Sequence, residues 1–363
     1  MESYINLDKN MIVGSIGDTP VEWHDVRTAP FSLHGFYRPQ TEPYFHRMAD
    51  EAGEAVSEGV SKLQKESAGG RVRFSTDSGY IAIRAKLRVV GRSPHLTLLS
   101  SAGFDLYEDG AFGSRFVREF RMTYDMLDSY EQIVQLPKDK KMRAYTIHFP
   151  VHSVVETLDV GVEPGAAIGQ GAAYRAGAPV VFYGSSIVHG TAAGRPGMIY
   201  ECQLSRMLNL DFINLGFSGQ AKGERAMAEY MADLDMSVFV CDYDHNAPSA
   251  EHLEATHHAL YEVIREKHPD VPYIMVTRPD YFAPAENQED TMARRDVIMR
   301  SYLKAREKGD KNVWFADGTA FFAGSGMVPG DCSMDSCHPN DAGFACMARG
   351  LGAIIRCALE SRG

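Results

Sequence analysis

Two short stretches of this 363-residue chain carry side chains that could do nucleophilic chemistry together. Ser186 follows an apolar run in Gly184-Ser185-Ser186, while Asp335 and His338 stand at i and i+3 in Asp335-Ser336-Cys337-His338-Pro339-Asn340. A histidine can take the proton of a serine hydroxyl while a carboxylate fixes the imidazole and stabilises its charged form. The Asp-x-x-His spacing lets one loop present both groups, with Asp335 on one ring nitrogen and the other left for Ser186. A carbonyl attacked by that serine develops negative charge and needs donors. The backbone N–H groups of Ser186 and Gly219 and the side-chain amide of Asn246 are the candidates. Glycine at 219 would let its backbone come close to a ligand.

These residues need a scaffold, and the second half of the chain reads as one. From Pro179 onward short apolar strands, Val180 to Tyr183, Phe212 to Leu215, Val238 to Cys241, Tyr273 to Val276 and Val313 to Phe315, alternate with helical patterns. The helices fall near Met198 to Leu208, Glu224 to Met231, Ala250 to Lys267, Thr291 to Lys308 and Ala342 to Leu359. Such β-α alternation predicts a parallel sheet covered on both faces, with reactive groups beyond the carboxyl ends of its strands. Gly184-Ser185-Ser186, Gly216-Phe217-Ser218-Gly219 and Asp242-Tyr243-Asp244-His245-Asn246 each follow a strand, so the polar clusters converge on one edge.

The first half, up to about residue 162, reads as mostly β. Arg71 to Phe74 and Ile81 to Val89 alternate around the turn Asp77-Ser78-Gly79, which predicts a half-buried hairpin. Further runs at Leu96 to Leu99, Ile133 to Leu136, Tyr145 to Phe149 and Leu158 to Val162 suggest a β-sandwich or jelly roll. Met48 to Leu63 has helical spacing instead. The small, nearly uncharged stretch Glu163 to Ala173 marks the boundary, so we expect an all-β domain over 1–170 and an α/β domain over 171–363.

Composition excludes several classes. Apolar residues at 44% and charged residues at 23% describe a globular chain, and 48 acids against 37 bases leave a net charge of -11, with a pI of about 5.6. That balance repels phosphate backbones and argues against a nucleic-acid partner. No basic, apolar leader opens the sequence and no window reaches the roughly 18 apolar residues of a spanning segment. We therefore expect no membrane partner and a cytoplasmic protein. The six cysteines, Cys202, Cys241, Cys332, Cys337, Cys346 and Cys357, form no secreted disulfide framework, and Cys332, Cys337 and His338 lack the second cluster of a metal site. Neither G-x-x-x-x-G-K-[ST] nor a convincing G-x-G-x-x-G is present, which disfavours a nucleotide-binding enzyme. A G-x-S-x-G elbow is also missing.

The second domain resembles an SGNH, or GDSL-type, hydrolase. Four blocks match in order: Gly184-Ser185-Ser186-Ile187, Asn214-Leu215-Gly216-Phe217-Ser218-Gly219, Asn246, and Asp335 to Asn340. Position 185 is Ser where the name-giving motif has Asp, and no Gly precedes Asn246. The first domain carries Gly103-Phe104-Asp105-Leu106-Tyr107, similar to the G-x-D-L-Y signature of a β-sandwich found before a subset of these hydrolases. Arg195-Pro196-Gly197-Met198 fits the same subset. The resemblance implies an α/β fold with a flavodoxin-like, three-layer α/β/α catalytic domain and a preceding jelly-roll domain. It implies Ser186, Asp335 and His338 as the triad and Ser186, Gly219 and Asn246 as the oxyanion hole. It also implies hydrolysis of acetyl or other short acyl esters, often on sugars, with neither metal nor organic cofactor. Acyl transfer by the same triad is the first alternative, and a non-catalytic carbohydrate-binding protein the second. Substrate-binding residues and any homo-oligomer are left open.

Plainer roles compete at each position. Ser186 could be a helix N-cap, and Asp335 or Asp341 could cap the last helix. Asp317 is the reserve carboxylate. His189 and His245 are expected as ordinary polar residues, Asp242 and Asp244 as supports of the Asn246 loop, and Arg195 as either a substrate ligand or half of a salt bridge. Tyr107 is expected at the domain interface. Phe36, Tyr37, Tyr44 and Phe45 read as core before they read as a sugar-stacking surface.

Overall fold

The computed structural model describes residues 16–361 apart from 112, 176, 280–284 and 324. Two strands, β1 (Glu22–Asp25) and β2 (Ser32–His34), precede the short helices α1 (Asp50–Val56) and α2 (Glu58–Leu63). Then come β3 (Arg71–Thr76), β4 (Tyr80–Val89), α3 (Leu98–Ala102), β5 (Phe104–Gly110) and β6 (Gly113–Phe120). Strands β7 (Ser129–Gln135), β8 (Arg143–His148), β9 (Val154–Val162) and β10 (Ile168–Gln170) follow. They form two antiparallel sheets, one ordered β1-β9-β4-β7 and the other β10-β3-β8-β5-β6 with β2 beside β3. The sheets close on one apolar core, in which Ile81, Ile83, Leu158 and Val160 of the first meet Val72, Phe74, Leu106 and Ile147 of the second. Phe45 and Phe36 meet Phe149 edge to face in the same core and present no sugar platform.

The expected hairpin of β3 and β4 does not form. β3 pairs with β2, β8 and β10, β4 pairs with β7 and β9, and Asp77-Ser78-Gly79 carries the chain from one sheet to the other. Alternation fixes which face a side chain takes but not which strand lies alongside, so a corner and a hairpin read alike. Leu96 to Leu99 also departs from its reading. Thr97 accepts a hydrogen bond from Ser100 N and so starts α3.

The helical stretch near Met48 is broken at Ser57, whose extended backbone (φ -171°) ends α1 and whose hydroxyl accepts from Val60 N to start α2. Met48 and Val60 are buried in the core of the α/β half, not of the sandwich. The early chain thus supplies part of the helical layer of the later one.

That later half runs β11 (Val180–Gly184), α4 (Ser186–His189), a 3-10 turn (Pro196–Met198), α5 (Tyr200–Leu208), β12 (Phe212–Gly216), α6 (Arg225–Ala232) and β13 (Val238–Asp242). It continues through α7 (Ala250–Lys267), β14 (Tyr273–Val276), α8 (Ala285–Glu307), β15 (Val313–Ala316) and α9 (Asp341–Glu360). The sheet is wholly parallel with order β12-β11-β13-β14-β15. Val181 and Tyr183 of β11 pack toward α6, α7 and α8, while Val180 and Phe182 pack toward α5 and α9. Burial on both faces is why each strand reads as a continuous apolar run. Among the described helices, α9 alone is long and apolar enough to cross a membrane by composition, contrary to the expectation of no such window. Phe344, Met347, Leu351 and Ile355 on it are buried beneath the sheet.

Candidate active site

The order 2-1-3-4-5 reverses direction at β11, and the crevice beyond its carboxyl end is where such sheets place ligands. Ser186 begins α4 at that point. The cap is supplied by its neighbour, since Ser185 Oγ accepts from Ile187 N at 3.2 Å. Ser186 Oγ is therefore free to meet His338 Nε2 at 2.9 Å. His338 Nδ1 lies 2.7 Å from Asp335 Oδ2, and Asp335 Oδ1 accepts the backbone N–H groups of His338 (2.7 Å) and Cys337 (3.1 Å). Burial would raise the Asp335 pKa, but the His338 backbone and ring bonds outweigh it and hold the carboxyl below the usual range. A proton on His338 Nδ1, held by Asp335, leaves Nε2 able to accept from the serine.

The cap of α9 falls to neither Asp335 nor Asp341. Asn340 Oδ1 accepts from Ala342 N and Gly343 N, and Asp341 Oδ1 accepts from Gly194 N at 2.7 Å. Asp317 faces elsewhere, clamped by Arg295 through bonds of 3.0 and 2.6 Å.

The three groups expected from sequence as oxyanion donors are two backbone amides and one side chain. Ser186 N is the first amide of α4, which has no intrahelical acceptor. Gly219, at φ +72°, sits in the loop after β12 with open space where a Cβ would point, and its N–H takes no acceptor among the described residues. Asn246 Oδ1 accepts from Ala221 N at 3.4 Å, tying its loop to the glycine loop, and its amide N–H₂ meets no acceptor among the described residues. Gly216 is required for packing: a Cβ there would lie 2.1 Å from His189 N, so only glycine lets β12 approach α4 this closely.

The supports expected from sequence are in place. Arg294 donates to the carbonyls of Asp244 and Ala247, Arg278 N donates to Asp244 Oδ2 at 3.0 Å, and Ser185 N donates to the carbonyl of Asp242. His245 Nδ1 lies 3.9 Å from Cys337 Sγ. Arg195 is half of a salt bridge. Its Nη1 donates to Asp105 Oδ2 (2.8 Å) and to Tyr107 Oη (2.5 Å), while the same carboxylate accepts from Gly197 N and pairs through Oδ1 with His148 Nδ1. The G-x-D-L-Y stretch is thus a latch between the sandwich and the turn that leads into α5.

A cavity of about 270 Å³ opens beside Ser186, lined by Leu63, Ser93, His95, Leu96, His152, Thr191, Ser218, Asp335 and His338. Five of these residues come from the first half of the chain, and no local pattern in the sequence announces them. A larger cavity of about 740 Å³, between the sandwich and α5, shares no lining residue with it. Behind the smaller one, Glu66 Oε2 lies 3.1 Å from His152 Nδ1 and 3.0 Å from His189 Nε2. Among the described residues this trio, and not Cys332, Cys337 and His338, gathers atoms close enough to hold a metal ion. His189 is wholly buried and does not line the cavity.

The second half also places the chain among known proteins. Residues 177–356 match the GDSL-like lipase/acylhydrolase family, and residues 21–168 match the GxDLY domain, the N-terminus of SGNH-hydrolase-type esterases. No curated protein matches the sequence. A Bacteroides ovatus protein assigned as a GDSL-like lipase is similar in structure at 27% identity, covering 94% of this chain and 98% of that one, with a TM-score of 0.84. A salicylyl-acyltransferase from a tetracycline biosynthetic pathway matches at 19% identity over 92% and 97% of the two chains, TM-score 0.73. A family two carbohydrate esterase from Cellvibrio japonicus matches at 9% identity over 94% and 98%, TM-score 0.60. At those last two identities the likeness is one of fold.

Proposed function

Since the chain belongs to the GDSL-like lipase/acylhydrolase family and carries its GxDLY domain, we propose that it is a serine esterase cleaving acetyl or other short acyl esters of a small hydroxylated molecule such as a sugar. The observation that carries this reading is the continuous run from Asp335 Oδ2 through His338 to Ser186 Oγ, with links of 2.7 and 2.9 Å. Ser186 Oγ attacks the acyl carbonyl as its proton passes to His338 Nε2. Asp335 stabilises the resulting imidazolium, and the oxyanion is met by the N–H groups of Ser186 and Gly219 and the Asn246 amide. Collapse of the tetrahedral intermediate breaks the C–O bond, and the proton on Nε2 leaves with the alcohol. His338 then takes a proton from water, hydroxide adds to the acyl carbon, and the acid departs as Ser186 recovers its proton.

Acyl transfer is the second reading. The cavity is walled partly by the sandwich, and a hydroxylated acceptor seated there would meet the same acyl-enzyme in place of water. The test is hydrolysis of p-nitrophenyl acetate, butyrate and octanoate by the protein and by Ser186→Ala, with acetylated sugars as a second panel and added alcohols to trap product ester. Acetate hydrolysis lost in the variant supports the esterase. Product ester in place of free acid supports transfer, and equal rates in both proteins rule out this serine.

A further inference from the structure

Glu66, His152, Thr191, Ser218 and His189 form a closed ring of side chains in the wall of the cavity, with His152, Thr191 and Ser218 lining it. Glu66 Oε2 meets both histidines, His152 Nε2 lies 3.3 Å from Thr191 Oγ1, Thr191 Oγ1 lies 3.3 Å from Ser218 Oγ, and Ser218 Oγ lies 3.0 Å from His189 Nδ1. Only Glu66 in this ring carries a full charge as an acceptor. It comes from the chain just after α2, whereas Ser218 precedes Gly219 in the glycine loop.

We propose that Glu66 is a positioning residue for the oxyanion loop: together with the Val151 carbonyl it fixes the tautomer of His189, and so sets how Ser218, and with it the Gly219 N–H, is held. The inference rests on the reading of Gly219 as an oxyanion donor. His189 Nε2 faces two groups that can only accept, Glu66 Oε2 at 3.0 Å and the Val151 carbonyl at 3.2 Å, so Nε2 carries the proton. Burial, with Arg47 and His152 nearby, pushes the His189 pKa down to about 3, which keeps the ring neutral. Nδ1 is then a bare lone pair that can only accept, and Ser218 supplies its O–H at 3.0 Å and its backbone N–H at 3.4 Å. With the opposite tautomer, Nδ1–H would point at the Ser218 N–H, and two donors facing each other would push the loop away. Burial works against a charge on Glu66, but its bonds with His152 and His189 hold its carboxyl below the usual range, which favours the charged form.

A divalent cation among the same three residues is the competing account. The Arg47 guanidinium argues against it, since its Nε donates to the Glu66 carbonyl at 2.9 Å and its positive charge bears on both Glu66 and His189.

The test compares the full chain with Glu66→Gln, His189→Asn, His189→Gln and Ser186→Ala. We would measure kcat and KM on p-nitrophenyl acetate, thermal midpoints, metal content, and imidazole nitrogen shifts by NMR. Glu66→Gln should lower kcat by about 10- to 100-fold with KM within about threefold, as expected when a donor aimed at the transition state is misplaced. His189→Asn puts an amide oxygen near the Nδ1 position and should recover most of the rate, whereas His189→Gln should not. The wild-type His189 resonances should show Nε2–H. Wild-type kcat in Glu66→Gln, equal rates in the two His189 variants, or one equivalent of metal whose removal abolishes activity would each overturn the proposal. If Glu66→Gln does not fold, the His189 pair carries the kinetic test. If Ser186→Ala is as active as the parent, the esterase reading fails, and a wild-type Nδ1–H tautomer would overturn the role of Glu66 separately.

Discussion

Replacing Asp335 with Asn alters one atom of the site and should nearly abolish turnover. Oδ1 accepts two backbone N–H groups, from His338 at 2.7 Å and Cys337 at 3.1 Å, and an amide oxygen can accept both. The loop should therefore keep its shape, and the new N–H₂ must take the place of Oδ2, 2.7 Å from His338 Nδ1. A donor there demands a lone pair on Nδ1, which sends the ring proton to Nε2, the atom that must receive the Ser186 proton. The base is lost without moving. A triad of the wrong tautomer costs about 10⁴ in kcat, or about 5.4 kcal/mol at 1.36 kcal/mol per tenfold. Asp317, the reserve carboxylate, cannot stand in, because both bonds from Arg295 hold it and its Oδ1 accepts from Thr319. The assay is steady-state hydrolysis of p-nitrophenyl acetate by parent and Asp335→Asn, with thermal midpoints measured beside it. An unchanged midpoint with kcat within about tenfold of the parent would refute the assignment of Asp335.

Ser185→Ala should cost about 1 kcal/mol of stability through the lost cap while keeping kcat within about tenfold; a loss as deep as that of Ser186→Ala in the same assay would move the nucleophile to 185. Asp211 accepts from His34 and pairs with the buried Arg71, and although burial alone would raise its pKa, these partners hold it at about 2. A depressed carboxyl stabilises the fold above its ordinary pKa of about 3.9 and loses that contribution as pH falls toward about 2. Thermal midpoints from pH 6 to about 2 should thus fall more steeply for the parent than for Asp211→Asn, and parallel curves would contradict the linkage. Leu96→Trp fills part of the cavity beside the triad from the sandwich side, and should lower kcat/KM for p-nitrophenyl octanoate about tenfold more than for the acetate. Equal losses on both esters would place the acyl chain elsewhere.

Much of the α/β half was legible because its signals are local. A parallel strand buried on both faces is a short apolar run, and a covering helix repeats every 3.6 residues. Val180 to Tyr183 and Tyr273 to Val276 accordingly fall within a residue of β11 and β14, and Ala250 to Lys267 coincides with α7. The loops after β11, β12 and β13 then carry Ser186, Gly219 and Asn246 to one edge, as the topology of such sheets requires. Even there, two adjacent serines look alike in sequence, and their division into a cap at 185 and a free hydroxyl at 186 depends on the phase of α4.

Side-chain pattern alone could not decide the rest. Arg71 and Arg73 alternate with Val72 and Phe74 as if facing solvent, yet both are buried, Arg71 on Asp211 and Arg73 on Asp109. Arg47 is wholly buried as well, donating to the carbonyls of Leu63, Glu66, Asn214 and Gly216 and so fastening the early chain to the end of β12. Residue types and spacing determined the strands of the parallel sheet, most of the helices that cover it, the order of the reactive blocks and the chemistry they can support, because backbone preference and periodicity act within a few residues. The tertiary structure decided which strands pair, which cations are buried, and that Leu63, Leu96 and His152 wall the cavity beside Ser186. Each of those outcomes depends on contacts between residues far apart in the chain, whose partners no local preference can name.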